Sequence, residues 1–313
     1  MQKIIIGLDT SCYTTSIAAI NLKGDIILDE RIMLDVQKSK KGLRQSQAVF
    51  MHLMNIEKLI DKIDSNKYEI VAICGSKSPR DIKDSYMPVF NVSKIFAKSI
   101  ALFRDVKLYY CSHQQNHIRA GIYNNKELKE PYMAIQISGG TLEILRVDED
   151  ISISTKTLDI SYGQFIDRLG VLMGFDFPSG KYLDNLACNY FLDSDNKKKI
   201  MNSKEKISIK DTGINLSGIE TKLKKEYDEC KDKDYIAAKV MYYIKESLSK
   251  LIYKSYKKEK LNDFLIVGGV SSSTFLRNEI KLDSNINLYF AKQEFSSDNA
   301  LGCALIGLDK YLG

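Results

Sequence analysis

The chain has 313 residues, 44% hydrophobic and 27% charged, which is enough apolar material for one large or two medium cores in a soluble globular protein. Its net charge of +6 is mild, and its lysine runs, Lys197–Lys199 and KSYKKEK at 254–260, could face a polyanion but are of a kind ordinarily solvated. Six cysteines (12, 74, 111, 188, 230 and 303) without a CxxC pair argue against a disulfide framework and for reduced thiols; no stretch is long enough to span a membrane, and Asp9 breaks the first apolar run too early for a signal peptide, so the expected location is the cytoplasm.

In chain order, Ile4–Leu8 reads as a buried strand, DTSCYTTS as a polar turn, and residues 16–22 and 26–34 as two further strands. Residues 43–63 and 92–103 have helical apolar periodicity, 68–74 is a buried strand, and 108–111 is a strand that delivers a helix at 113. The second half repeats the theme. Met133–Ile137 ends in Ser138-Gly139-Gly140-Thr141, with 142–147 as its hairpin partner and 151–157 beyond it; the glycines admit a ligand close to backbone amides or simply make a turn. A helix from about Gln164 carries Asp167 and Arg168, another starts at Lys181, and 193–206 reads as an exposed lysine-rich connection. Helices follow after Ser217-Gly218 and over 235–255. The strand 264–267 then runs into Gly268-Gly269 and a helix from about Thr274, a context in which unpaired amides and the helix dipole would meet an anionic or nucleotide ligand. The last helix, 299–311, has Asp298 as its expected cap.

Two of the three histidines, His113 and His117, are four apart, which stacks both imidazoles on one helix face in a geometry that chelates a divalent metal. The best third ligand is the distant Asp298, which would clamp two lobes around a cleft and can bind metal only if one of its oxygens escapes the cap. His52, on an apolar-periodic helix, reads as a packed residue. An HExxH protease reading fails because Gln114 follows His113.

The pieces LDTSCYTTS, FAKSIAL, SHQQNH, ISGG, YGQFIDRLGVLMGFDFPSG, INLSGIETKL, IVGGVSSSTFLR and SSDNA resemble, in order and spacing, the TsaD family, also labelled peptidase family M22. The resemblance implies an α/β protein with the actin-like ASKHA fold, two lobes of mixed sheet with helices around an interlobe cleft. It sets the first lobe at residues 1–110, completed by 299–313, and the second at 111–298. It implies one divalent metal, iron or zinc, on His113, His117 and Asp298. Contacts to threonylcarbamoyl-adenylate or a related nucleotide would come from Ser138, Gly139, Gly140, Asp167, Gly180, Gly268, Gly269 and Ser273, with Asp167 on ribose hydroxyls. The implied activity moves the threonylcarbamoyl group onto the tRNA adenosine next to the anticodon, by metal polarisation of the carbamoyl group, attack by the amine and departure of AMP. The implied partners are tRNA and a TsaB-like protein.

The departures suggest a divergent paralogue. The family's TSCDET reads TSCYTT here, with Tyr13 and Thr14 for two acids. Gln115 and Gln164 stand for glutamates, Thr141 for a histidine and Ser273 for an asparagine. Loss of the acids removes potential general bases and leaves the catalytic residues unassigned. Two alternatives stay open: a carbamoyl transferase with a different acceptor, and a non-catalytic TsaD-like subunit that binds a TsaB-like partner. A sugar kinase would need an acid for magnesium in the loop after Asp9, and TSCYTT has none.

Overall fold

A computed structural model describes residues 1–11, 13–35, 43–203, 209–210 and 213–313. Cys12 and the end of the expected lysine-rich connection, 204–206, lie outside the described residues. The chain forms two compact units, Met1–Asn124 with Phe295–Gly313, and Asn125–Glu294.

In the first unit, β1 (Gln2–Thr10), β2 (Thr14–Asn21) and β3 (Ile26–Met33) make an antiparallel meander. The helix α1 (Gln45–Ile60) leads to β4 (Tyr68–Ser78), and α2 (Phe90–Arg104) leads to β5 (Lys107–Ser112). The sheet order is β3-β2-β1-β4-β5, with β4 and β5 added in parallel, the arrangement that helical crossovers permit. β1 reads as a continuous apolar run because both its faces are covered: Ile4, Ile6 and Leu8 pack with Leu59 of α1 and Ala97 of α2, while Ile5 faces the other side with Ala18 and Ile20. β5 feeds directly into α3 (His113–Ile122), nucleated by Ser112 and Gln115 in a reciprocal capping box.

The second unit has the same sheet topology. β6 (Tyr132–Ile137), β7 (Leu142–Val147) and β8 (Ile151–Lys156) form the meander. Then come α4 (Tyr162–Leu172), α5 (Gly180–Tyr190), α6 (Ser194–Asn202), the ribbon β9 (Ile209–Lys210) and β10 (Gly213–Ile214), α7 (Ser217–Cys230) and α8 (Lys233–Glu259). β11 (Asp263–Val267), α9 (Thr274–Glu279), β12 (Asn287–Phe290) and α10 (Gln293–Ser296) complete the order β12-β11-β6-β7-β8, with β11 parallel to both β6 and β12. Its core packs Met133, Ile135, Phe264 and Ile266 of the sheet against Phe165 and Leu169 of α4, Leu183 of α5 and Ile244 of α8.

The chain then returns to the first unit as α11 (Leu301–Leu312). Gly7 admits it: a Cβ there would lie 2.3 Å from the Ala300 carbonyl.

Three expectations change. The boundaries run at 124/125 and 294/295 rather than at 110/111 and 298/299, because α3 packs against α11 and both belong to the first unit. Residues 194–202 are a helix, capped by Asp193 and anchored by buried Ile200, where the lysine-rich composition reads as an exposed connection. Asp298 does not cap the last helix: that helix begins at Leu301, whose N–H is taken by the Asn299 side chain.

Candidate metal centre and ligand-binding turns

The capping box at Ser112 fixes where α3 begins and so aims His113 and His117 to one side, while the tight seating of α11 brings Asp298 to the same place. The Nε2 atoms of the two histidines are 3.1 Å apart, and Oδ1 of Asp298 lies 3.6 Å from that of His113 and 3.2 Å from that of His117. Ligand atoms about 2.0–2.1 Å from one ion are separated by about 3 to 3.4 Å, so this triangle has the edges of a coordination face. The group is the only cluster of three or more such side chains among the described residues that could hold a metal ion.

The surrounding contacts fit that role. Asp9, fully buried at the end of β1, accepts a hydrogen bond from His113 Nδ1 at 3.1 Å, which leaves Nε2 to face His117 and Asp298. A carboxylate behind a ligating imidazole is the usual support of a metal-bound histidine. Ser11 donates to Oδ2 of Asp298 at 2.6 Å, which leaves Oδ1 on the side of the two histidines. Three electron-pair donors facing one another require a cation among them, a metal or a proton. The electrostatics agree: burial disfavours the imidazolium of His113, but Asp9, by charge and hydrogen bond, and Asp298 outweigh it and raise the group to about 9. Burial likewise opposes ionisation of Asp298, yet hydrogen bonds from His117 and Ser11 and the histidine charges hold its carboxyl well below the usual range.

The raised value makes a stability prediction for the metal-free protein. His113 holds its proton to about 9 when folded and to about 6.5 when unfolded, so its contribution is fully present below 6.5 and lost as pH rises through 9. The loss should be on the order of 3 kcal/mol. Melting temperatures of chelator-treated protein should fall across that window, and a flat profile there would contradict the arrangement.

The second unit carries the remaining expected residues. Because β6 and β11 are parallel neighbours, the turns that follow them, Ser138–Thr141 and Gly268–Ser272, lie side by side at the carboxyl ends of the strands, where open α/β sheets hold ligands. Gly268 is required there: its φ is +93°, and a Cβ would lie 2.4 Å from the Ile137 carbonyl. Gly163 of α4 packs against Gly139, and Ser161 donates to the Gly139 carbonyl at 2.7 Å. One turn along α4, Asp167 accepts the Ser179 N–H at 2.7 Å, just before Gly180; burial pushes its carboxyl up, and that amide partly offsets the effect. One turn along α5, Asp184 accepts the N–H groups of Thr274 (2.9 Å) and Phe275 (3.1 Å) and the Ser273 hydroxyl. Ser138 and Gly139 thus meet Gly163, Asp167 meets Ser179 beside Gly180, Gly268 meets Ile137, and Ser273 meets Asp184. A Cβ added at Gly139, Gly140, Gly180 or Gly269 would meet nothing within 4 Å, so these four face open space.

One reading is overturned. The amides at the start of α9 do not face a ligand, because Asp184 takes two of them and Ser273 caps the Leu276 N–H; an anion placed there would meet a carboxylate. Two departures gain a structural explanation: Gln115 and Gln164 each close a capping box, on Ser112 and Ser161, a role glutamine fills as well as glutamate. The six thiols expected to be reduced are free at the five described positions, Cys74, Cys111, Cys188, Cys230 and Cys303. Sequence reasoning missed Asp9, Ser11 and Asp184; Asp9 alone left a signal, as an acid inside an apolar strand.

A family model described as tRNA N6-adenosine threonylcarbamoyltransferase (TsaD) matches residues 44–305. Among curated relatives of that name, the one from Thermosipho africanus is 27% identical over 318 residues, covering 98% of this chain and 94% of the relative. The one from Riemerella anatipestifer is 30% identical over 329 residues, covering 99% and 93%. Among solved structures, component A of the (R)-2-hydroxyglutaryl-CoA dehydratase of Acidaminococcus fermentans aligns with a TM-score of 0.57 at 13% identity, covering 99% of both chains. HypF from T. kodakarensis aligns at 0.58 and 12% identity, covering 99% of this chain and 48% of that one. These structural likenesses are of fold alone, and the fold is the expected α/β actin-like ASKHA fold.

Proposed function

Since the chain belongs to the TsaD family, the tRNA N6-adenosine threonylcarbamoyltransferases, we propose that it transfers a threonylcarbamoyl group from threonylcarbamoyl-adenylate to the tRNA adenosine next to the anticodon. The observation that carries this reading, beyond the family match, is the convergence of His113, His117 and Asp298 from segments far apart in sequence. These three side chains would hold one iron or zinc ion. When bound, the ion supplies Lewis acidity toward the carbamoyl oxygen. Asp9 fixes the His113 ring through Nδ1, and Ser11 fixes the Asp298 carboxylate through Oδ2. On the nucleotide side, the exposed backbone of Gly139, Gly140 and Gly269 offers a close approach for the adenylate, Asp167 would receive ribose hydroxyls, and Gly268 and Ser273 keep those turns in shape. The amine of the tRNA adenosine would attack the carbamoyl carbon, and AMP would leave with the electron pair of the broken C–O bond.

Two surfaces support the partners. The exposed residues of α8 near its end, Lys250, Tyr253, Lys254 and Lys257, recur at helical spacing as a basic stripe suited to a phosphate backbone. Lys197, in the other lysine run, forms an ion pair with Glu279 at 2.7 Å. Replacing Lys250, Lys254 and Lys257 together by alanine should weaken tRNA binding and flatten the slope of log Kd against log salt by about 2. An unchanged slope, read by filter binding, would remove the stripe from the tRNA path. A TsaB-like partner is supported by apolar side chains that α1 and α2 leave in solvent, Phe50, Leu53 and Met54 on one, Ile95, Leu102 and Phe103 on the other. No helix among the described residues is long and apolar enough to cross a membrane; the proposed location is the cytoplasm.

The test is incubation of the metal-loaded protein, with its partner if needed, with synthetic adenylate and unmodified tRNA, followed by nucleoside analysis. Threonylcarbamoyladenosine together with AMP is the expected result. Bound metal without the modified nucleoside would sink the tRNA reading in favour of another acceptor, and absence of metal would favour a non-catalytic subunit.

A further inference from the structure

His52 reads in the sequence as packing, and it is fully buried on the inner face of α1. Its ring is nevertheless wired at both nitrogens. Nε2 lies 2.8 Å from the Ser11 carbonyl, which can only accept, so Nε2 carries the proton. Nδ1 is therefore bare and accepts from the Thr15 hydroxyl at 2.8 Å, and that hydroxyl in turn accepts from the Asn55 side chain at 3.3 Å. Every proton in the row has a determined direction: Asn55 to Thr15, Thr15 to His52, His52 to Ser11. The row ends at the residue whose hydroxyl donates to Oδ2 of Asp298 at 2.6 Å.

We propose that His52 is a positioning residue that, by anchoring the main chain at Ser11, holds the Asp298 carboxylate with Oδ1 turned toward His113 and His117. The main chain at Ser11 is otherwise tied locally, by its N–H to the Thr14 carbonyl at 3.2 Å. The contact from α1 joins it to the body of the unit. A ligand carboxylate has several rotamers of similar energy, and metal binding selects one. A support that fixes that rotamer in advance raises affinity without touching the ion. The proposal rests on the assignment of His113, His117 and Asp298 as metal ligands.

The test is Co(II) and Zn(II) affinity of the full chain, measured by competition with a chromophoric chelator, together with the visible spectrum of the Co(II) form. His52→Leu keeps the volume and deletes the row, and should weaken binding by about 10- to 100-fold and alter the Co(II) spectrum. His52→Gln can still donate to Ser11 and accept from Thr15, and should stay within about threefold of wild type. In a Ser11→Ala background, which already frees the carboxylate, His52→Leu should cost little more. If His52→Leu does not fold, Thr15→Val, which removes only the hydroxyl that aligns the ring, should weaken binding several-fold. Unchanged affinity in His52→Leu or Thr15→Val, or a full additional loss in the Ser11→Ala background, would overturn the proposal while binding that depends on His113 upholds the metal assignment. Wild-type protein that binds no ion, or binds it equally well after His113→Ala, would overturn both.

Discussion

His113→Ala should strip the metal from the protein and lower threonylcarbamoyl transfer by at least about 10³-fold, since Lewis-acid stabilisation of a transition state contributes several kcal/mol and each 1.36 kcal/mol is tenfold in rate. The substitution removes a ligand atom 3.1 Å from His117 Nε2 and 3.6 Å from Asp298 Oδ1, and leaves an imidazole and a carboxylate, too few for tight binding. It also leaves Asp9 buried without the cation beside it, so some loss of stability accompanies the loss of metal. Elemental analysis and the transfer assay check both parts. Retention of one ion per chain, or transfer within tenfold of wild type, would remove His113 from the ligand set.

Gly302→Ala should have a comparable effect from outside the ligand set. A Cβ at position 302 would lie 1.9 Å from the Asn116 carbonyl oxygen and 2.7 Å from its side-chain oxygen, so α3 and α11 must separate. Asn116 sits between the two histidines on α3. Its side chain donates to the Asn299 carbonyl at 2.6 Å and accepts the Cys303 N–H at 2.8 Å, so it links the histidine helix to the segment carrying Asp298. Overpacking of this kind costs about 3 kcal/mol, and metal ligands tolerate displacements of only about 0.2 Å. The variant should therefore melt at a lower temperature and bind metal poorly. Gly218→Ala, where an added Cβ meets nothing within 4 Å, is the control that should change neither. A melting temperature and metal content equal to wild type in Gly302→Ala would show that the two helices have slack that their packing does not suggest.

The departures from the family pattern carry less catalytic meaning than their chemistry suggests. Gln115 and Gln164 read as lost carboxylates, yet each sits three residues after a helix-capping serine and satisfies its N–H. Tyr13 and Thr14 have no such explanation. Thr14 is buried as the first residue of β2.

The sheet strands, the repeated sheet and the helices other than α6, whose lysines hide its apolar anchor Ile200, were legible because apolar periodicity and turn residues are local properties. The same holds for His113 and His117, whose spacing alone puts them on one helix face, and for the glycine turns. Asp298 was legible as a candidate and no further. Whether it caps α11 or faces the histidines depends on which residue starts that helix, and Asn299 decides it by taking the Leu301 N–H. Asp184 was invisible for a related reason: its partners lie about ninety residues away in α9, and a carboxylate one turn into a helix says nothing about which amides it will meet. Sequence by itself determined the family and, through that resemblance, the fold, and it put His113 and His117 on one helix face, because the motifs and the four-residue spacing are short-range pattern. Only the tertiary structure decided which oxygen of Asp298 stays available, that Asp9 backs His113, Ser11 backs Asp298 and His52 reaches Ser11, and that Asp184 closes the start of α9. Those choices are made by hydrogen bonds between segments that only folding brings into reach.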